Sequence, residues 1–463
     1  MKTLLRSIPF ACALVLAACS TAPVYEVPSS PQAAAFKEAQ GWAPAAPADA
    51  LDRGPWWELF GDPVLNDLQQ RAKASNQSLA AAAAAYEQAR AAVREQRASL
   101  FPSVTLDGSA ARSGGGGRSG SGNQYQVGIG GSWEPDLWGR VRNGLTAAGA
   151  GAEASAADLA SATLSIQGEL AANYFNLRLA DAQRALLEAT IAGYERTLQI
   201  TQNRYDAGVA AKTDLLQAQT QLASARADLV GLRRTRAQLE HAIAVLVGEL
   251  PSNFSLAPAP WRPTVPAVPV GLPSELLQRR PDIASAERRV AAANAQIGIA
   301  RSAYFPSLGL SASYGFGASR VGDLFQASNA LWSFGLSAAQ VLFDAGAISA
   351  RVDSARAAHA QAVASYRQTV LVAFQDVEDQ LAATRVLEQQ YELRRQASGA
   401  ADQVEQQVIN RYRAGQVGFS EVVAAQVTAL NARRTLAQAM SDRQTTAVAL
   451  VQALGGGWKP APC

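Results

Sequence analysis

Aromatic residues make up only 7% of this 463-residue chain and charged residues only 17%, and it has two histidines and three cysteines. Each scarcity excludes something. His241 and His359 sit in separate helical patterns, which argues against a metal site. The net charge is +3, falling to +1 (3 − 2) without Lys2 and Arg6, and no basic block stands out, so a nucleic-acid partner is not indicated. With few large side chains and abundant alanine, the composition favours long helices packed closely through small residues over a globular core. Catalysis has no residues to rest on. Gly114-Gly115-Gly116-Gly117 is followed by no Gly-Lys-Ser/Thr and opens no helix, so it reads as a flexible loop, not a phosphate cradle. Asp376, Glu378 and Asp379 cluster on one helical pattern without a histidine or nucleophile and read as a solvated face or tunnel lining. The chain is therefore read as a non-enzyme with no cofactor.

Long apolar runs are also missing. Residues 8–18, after Lys2 and Arg6, are too few to span a bilayer as a stable helix and read as an export signal. The run ends at Leu16-Ala17-Ala18-Cys19, which resembles the bacterial lipoprotein cleavage box, whose cysteine becomes the lipidated first residue. The alternative is an ordinary signal peptide with an incidental cysteine. Ser20 follows where a retention aspartate would imply the inner membrane, so the resemblance implies sorting to the outer membrane. Such a lipid is an anchor and does not thread the chain through the bilayer. With Cys12 removed and Cys19 lipidated, Cys463 is left as one free thiol and no intramolecular disulfide is possible.

What the chain does have, it has twice. Phe101-Pro102-Ser103 returns 204 positions later as Phe305-Pro306-Ser307, and Asn203-Arg204-Tyr205-Asp206-Ala207-Gly208 returns after 207 as Asn410-Arg411-Tyr412-Arg413-Ala414-Gly415. From Leu65, a mostly apolar seam advances by alternating threes and fours through Leu68, Ala72, Leu79, Tyr86 and Val93 to Leu100. It repeats from Leu276 through Ile283, Val290 and Ile297. Asp62-Pro63 is a sound start for the first helix. Both seams stop at Phe-Pro-Ser, where proline removes a donor. Period two then takes over: Tyr125, Val127 and Ile129 alternate with Gln126, Gly128 and Gly130 up to Trp133, and Trp332, Phe334 and Leu336 alternate with Ser333, Gly335 and Ser337. Leu308, Leu310, Ala312, Tyr314 and Phe316 carry the same pattern.

Each half thus offers two strands of about ten residues, a length and alternation suited to a tilted membrane strand with one lipid face and one wet face. Trp133 and Trp332 suit an interfacial belt. Four strands cannot close a barrel, and hydrocarbon does not tolerate open edges, so other copies of the chain must complete the ring. Residues 141–205 hold no proline and reach roughly 100 Å as a helix, with 347–412 as their counterpart. Each ends at a glycine turn from which a second helix returns. The expected organisation is a signal peptide at 1–18, an anchored linker at 19–57, repeats at 58–250 and 275–455 separated by a Pro-rich connector at 251–274, and a tail at 456–463.

The pattern resembles the outer-membrane efflux channel family, specifically its lipid-anchored branch in tripartite drug and metal pumps. The matching stretches are Trp56-Trp57 through Leu68, Trp133-Glu134-Pro135-Asp136-Leu137-Trp138-Gly139-Arg140, Leu276-Leu277-Gln278-Arg279-Arg280-Pro281-Asp282-Ile283, Ala303 through Ser307 and the two Arg-Tyr-x-Ala-Gly turns. The resemblance implies a mainly α fold with a small β part. A homotrimer would build a twelve-stranded barrel in the outer-membrane lipid and a twelve-helix tunnel across the periplasm. The tunnel would meet a periplasmic adaptor and an inner-membrane transporter of the RND type. The function implied is a passive, gated exit duct for small molecules or metals. A duct for type I protein secretion and a pore-free, lipid-anchored coiled-coil scaffold are the alternatives.

The resemblance also implies site residues. In the family an aspartate after the first turn bonds a tyrosine and an arginine of the second. Asp214 and Tyr412 hold the first two places, while Val417 stands where the arginine would be. Asp214 reads equally well as a carboxylate favouring a helix N-terminus. Glu421 matches one acidic ring of the pore, and Ala424 replaces the next. Three glutamates facing one axis would favour cations; a solvated first-turn glutamate is the alternative. The tips Gly208, Val209, Ala210, Gly415, Gln416 and Val417 are implied as the adaptor-docking surface, or serve turn geometry alone.

Overall fold

The computed structural model describes residues 21–30, 35–38, 54–114, 122–261, 263–266, 268 and 280–456. The signal peptide, Cys19, most of the linker, Gly115 to Gly117 and residues 457–463 lie outside the described residues. A short 3-10 helix, Trp56–Phe60, precedes α1 (Pro63–Ser75) and α2 (Gln77–Ala98). Strands β1 (Ser103–Ser113) and β2 (Gly122–Trp133) lead to α3 (Arg140–Asp206) and α4 (Lys212–Leu246). The second half gives α5 (Pro281–Ser302), β3 (Ser307–Ala318), β4 (Ala330–Ala339), α6 (Ala347–Arg413) and α7 (Phe419–Ala453). In the helices the duplication is kept to the residue. α2 and α5 each have 22 residues, α3 and α6 each 67, α4 and α7 each 35. Even side-chain pairs repeat: Arg226 meets Glu195 at 2.7 Å, and 207 positions on Arg433 meets Asp402 at 2.7 Å.

The seam expected to run unbroken from Leu65 to Leu100 divides at Asn76. Its backbone is extended (φ −66°, ψ 123°), and its side chain serves two helix ends at once. Oδ1 accepts from Leu79 N at 3.0 Å, capping α2, while Nδ2 donates to Leu246 O at 2.8 Å at the end of α4. A short polar residue that satisfies a helix N-terminus competes with helix continuation. Leu65, Leu68 and Ala72 before the break are buried, whereas no residue of α2 is buried within the chain.

The chain forms two compact units. One holds the four strands with residues 84–157 and 283–369 of the flanking helices. Its sheet is antiparallel throughout, in the order β1-β2-β3-β4. Pairing sets the apolar residues on one face: Val104, Leu106, Ile129, Tyr314, Trp332, Phe334 and Leu336, all exposed. Glycine and serine dominate the other face. Strands of 10 to 12 residues at a tilt of about 45° cover the roughly 25 Å apolar band of an outer-membrane barrel. No described helix is long and apolar enough to cross a membrane.

The other unit is helical and has a polar core element. Asp62 caps α1 through Val64 N at 2.9 Å and accepts the Tyr174 hydroxyl at 2.6 Å. Arg178 donates to that hydroxyl and, at 3.2 Å, to Asp181, which also takes Arg236 at 2.7 Å. Arg178 and Asp181 are nearly inaccessible, with side chains 5% and 2% exposed. Burial, and then the bond to the Asp62 carboxylate, push the Tyr174 hydroxyl well above its ordinary pKa. Burial works against the charge of Arg236, but Asp181 and Glu240 outweigh it and raise its pKa. The connector is stitched to the same network: Arg178 donates to Ala257 O, Arg236 to Leu256 O, and Leu256 N to Glu240.

Candidate functional site

The two helical hairpins, α3–α4 and α6–α7, both belong to the helical unit at their turns. Gly208 and Gly415 take left-handed φ values of 70° and 74°, which a side chain would oppose by about 1–2 kcal/mol. Each turn folds back on the last carbonyls of its helix. Gly208 N donates to Tyr205 O at 2.9 Å and Val209 N to Arg204 O at 2.8 Å; Gly415 N donates to Tyr412 O at 3.0 Å and Gln416 N to Arg411 O at 2.9 Å. Val209 is therefore left on the surface, 66% exposed, and Gly208, Gly415 and Gln416 are exposed with it. Ala210 and Val417 are half-buried.

Asp214 and Glu421 occupy the same place, the third residue of α4 and of α7. Neither helix has a side-chain cap, so a carboxylate in the first turn complements the positive helix end. Asp214 is half-buried and Glu421 exposed.

Tyr412 is 3% exposed and packs edge-on against Phe419, with ring centroids 5.5 Å apart, beside Ala218 and Val422. Its hydroxyl lies 3.2 Å from Thr201 Oγ1. The structure thus pairs Tyr412 with Thr201, and among the described residues of the chain no side-chain bond joins it to Asp214. The residue that reaches Tyr412 from the first hairpin is Arg204. Its Nη1 donates to Tyr412 O at 2.7 Å, and its guanidinium carbon lies 4.7 Å from the ring centroid. Arg204 Nε is buried without a partner. A cation thus ties the end of hairpin one to the end of hairpin two, although Val417 leaves the expected arginine position empty. Gln426 to Thr197 at 3.4 Å and Arg434 to Asp228 at 3.2 Å continue the contact along the two hairpins. Sequence reasoning did not single out Arg204, yet the repeated Arg-Tyr pair of the two turns carries it.

A cavity of about 340 Å³ elsewhere in the helical unit is lined by Arg280, Asp282, Asp376, Gln380 and Gln452 among others. Arg280 is already spent there, on Asp282 at 2.7 Å and Asp376 at 3.0 Å. Among the described residues no His, Cys, Asp and Glu group could hold a metal ion.

This combination, a four-stranded membrane-type sheet and duplicated long helical hairpins, is shared with known proteins. The family described as outer membrane efflux protein matches residues 68–249 and 272–456. The probable efflux pump outer membrane protein TtgC of Pseudomonas putida KT2440 is 34% identical over 456 residues, covering 96% of this chain and 94% of its own. The cation efflux system protein CusC of Escherichia coli O6:H1 is 31% identical over 462 residues, covering 98% and 99%. Among solved structures, the outer-membrane channel OprN superposes with a TM-score of 0.87 at 32% identity, covering 96% of this chain and all of that one. The chain belongs to the outer membrane efflux protein family. It is an efflux channel of the Gram-negative outer membrane that extends into the periplasm. Efflux relatives over the whole length favour that reading over protein secretion or a pore-free scaffold.

Proposed function

We propose that the chain, anchored through lipid on Cys19, trimerises into a passive duct whose periplasmic end is closed by the two hairpin turns. Its repeats, 58–250 and 275–455, each supply a strand pair and a long helical hairpin. The duct receives cargo from an inner-membrane transporter of the RND type through a periplasmic adaptor. Small organic molecules or metal ions are the cargo class, as the names of the relatives include toluene and cation efflux. The protein carries out no chemistry of its own.

The single observation that carries the gate is the tie between hairpins, Arg204 to the Tyr412 carbonyl and ring. In this reading Asp214 joins the closure from the start of α4, and Glu421 forms an acidic ring that favours cations. Gly208, Val209, Ala210, Gly415, Gln416 and Val417 form the adaptor-docking tips.

Conductance in planar bilayers tests this. The wild-type oligomer should give a small cation-selective current that rises in Asp214→Ala and loses selectivity in Glu421→Ala. No current from any of the three, with insertion confirmed, would refute the duct.

A further inference from the structure

The internal repeat is exact enough to specify how one copy meets the next. Ser103 pairs with Ser132 in the first strand hairpin and Ser307 with Ala339 in the second. β1 therefore maps onto β3 by 204 positions and β2 onto β4 by 207. The hydrogen bonds at the base of the hairpins obey the same two offsets. Ser103 Oγ donates to Ser132 O at 3.3 Å and Ser307 Oγ to Ala339 O at 3.3 Å. Trp133 Nε1 donates to Leu100 O at 3.0 Å and Gln340 Nε2 to Tyr304 O at 3.4 Å.

Only the junction between the two hairpins, β2 against β3, is made once within the chain. Its counterpart is β4 against the β1 of another copy. Resting on the trimeric duct proposed above, we infer that this copy-to-copy junction repeats the β2–β3 register. Gly130 pairs with Ser313 and Ile129 with Tyr314. Carrying β2 forward by 207 and β3 back by 204 turns these into Ser337 with Ser109, and Leu336 with Ala110, of a second copy.

The derived register passes a test that it could have failed. A slip of one residue turns a strand's side chains to the opposite face. Here Trp332, Phe334 and Leu336 stay on the same face as Leu106 and Val104, so the apolar face carries across the junction, with Arg112 beside Phe334 toward the loop end and Gln340 beside Leu106 at the base.

The helices agree. In α5, Ile283, Val290 and Ile297 are buried within the chain, while their α2 counterparts Leu79, Tyr86 and Val93 are not. Much of α3 at its N-terminal end is buried, whereas the matching stretch of α6 is mostly exposed. Leu342 and Phe343, just beyond β4, are 91% and 89% exposed, and Phe101, just before β1, is 67% exposed. Extended by three residues, the register brings Leu342 beside Val104, and Phe343 beside Ser103, of the next copy. The surfaces left open on the β1–α2 side thus have open counterparts on the β4–α6 side.

Cysteine cross-linking in outer-membrane fractions tests the register, in a Cys463→Ser background. Directly opposed antiparallel residues lie about 4.5–5.5 Å apart at Cα, within disulfide range, whereas diagonal neighbours lie about 7–8 Å apart. Within one chain β1 and β4 are three strand spacings apart, roughly 14 Å along the sheet, so a link must join two copies. Ser109→Cys with Ser337→Cys should yield covalent trimer on mild oxidation. Asp107→Cys or Ala111→Cys, each with Ser337→Cys, should yield several-fold less. A shifted pair that links better would overturn the register and leave the trimer standing. A trimer by native mass spectrometry in which no pair links would overturn the edge pairing itself. A protein that is monomeric by the same measurement would overturn the trimeric duct on which the register rests.

Discussion

Replacing Arg204 by alanine removes the tie between the two hairpin ends while leaving the backbone hydrogen bonds of both turns in place. The contact has two parts: a charged donor 2.7 Å from Tyr412 O, and a guanidinium 4.7 Å from the ring centroid. A hydrogen bond to a charged group is worth about 1.5–3 kcal/mol and a cation–π contact about 0.5–2 kcal/mol. Because Arg204 is only half-buried, the low end of each applies, about 2 kcal/mol per chain in all. Any opening that parts the hairpins must break this contact, so its loss shifts the closed–open equilibrium by roughly thirtyfold per chain. If three chains open together, the shift exceeds four orders of magnitude, roughly 10⁴-fold or a little more. Single-channel recording in planar bilayers should show longer open times and higher mean conductance in Arg204→Ala. Arg204→Lys keeps the charge but loses the planar face that stacks on the ring, so it should fall between the two. Thr201→Val removes the partner of the Tyr412 hydroxyl, along with a bond to Thr197 O within the same helix, and should act in the same direction by about 1 kcal/mol. An Arg204→Ala trimer of normal thermal stability and unchanged conductance would refute the argument, since the tie would then hold nothing that moves.

Glu421→Gln should lower cation-over-anion permeability in a salt gradient with little change in open conductance, because the exposed carboxylate contributes charge and not packing. Asp181→Ala leaves Arg178 and Arg236 without their shared buried carboxylate and should cost about 3–5 kcal/mol, read as a lower melting temperature of the purified trimer. Asp136 accepts from Arg142 N at 2.8 Å and Val141 N at 3.1 Å at the start of α3. Burial pushes its pKa up, but these bonds and the Arg142 guanidinium outweigh it and hold the group below the ordinary 3.8. A depressed folded pKa stabilises above the unfolded value and is lost as pH falls through the folded one. Asp136→Asn should therefore cost about 1 kcal/mol at neutral pH, a difference that shrinks below about pH 4 in denaturant titrations. Gly415→Ala should cost about 1–2 kcal/mol locally through its φ of 74° and speed hydrogen exchange at the second turn first.

The chain's own text carried much of this architecture because its determinants are local. Phe-Pro-Ser ends a helix wherever it stands, alternation with serine and glycine makes a two-faced strand, and Gly208 and Gly415 reverse a helix through one backbone angle. Copying these signals 204 or 207 positions apart made the two halves equivalent before any contact was known. What the text could not carry was partnership over distance. Arg204 and Tyr412 lie 208 positions apart, and Asp62 and Tyr174 112 apart. Neither pair leaves a periodic trace, because an arginine or tyrosine on a helix face looks alike whether it meets water or another helix. The same holds for Asn76, which reads as a polar residue in an apolar seam until Leu246 O, 170 positions away, is seen to take its amide. Local sequence set where helices and strands begin, alternate and turn; only packing chose which of their polar groups would meet, since that choice depends on which helices are brought side by side.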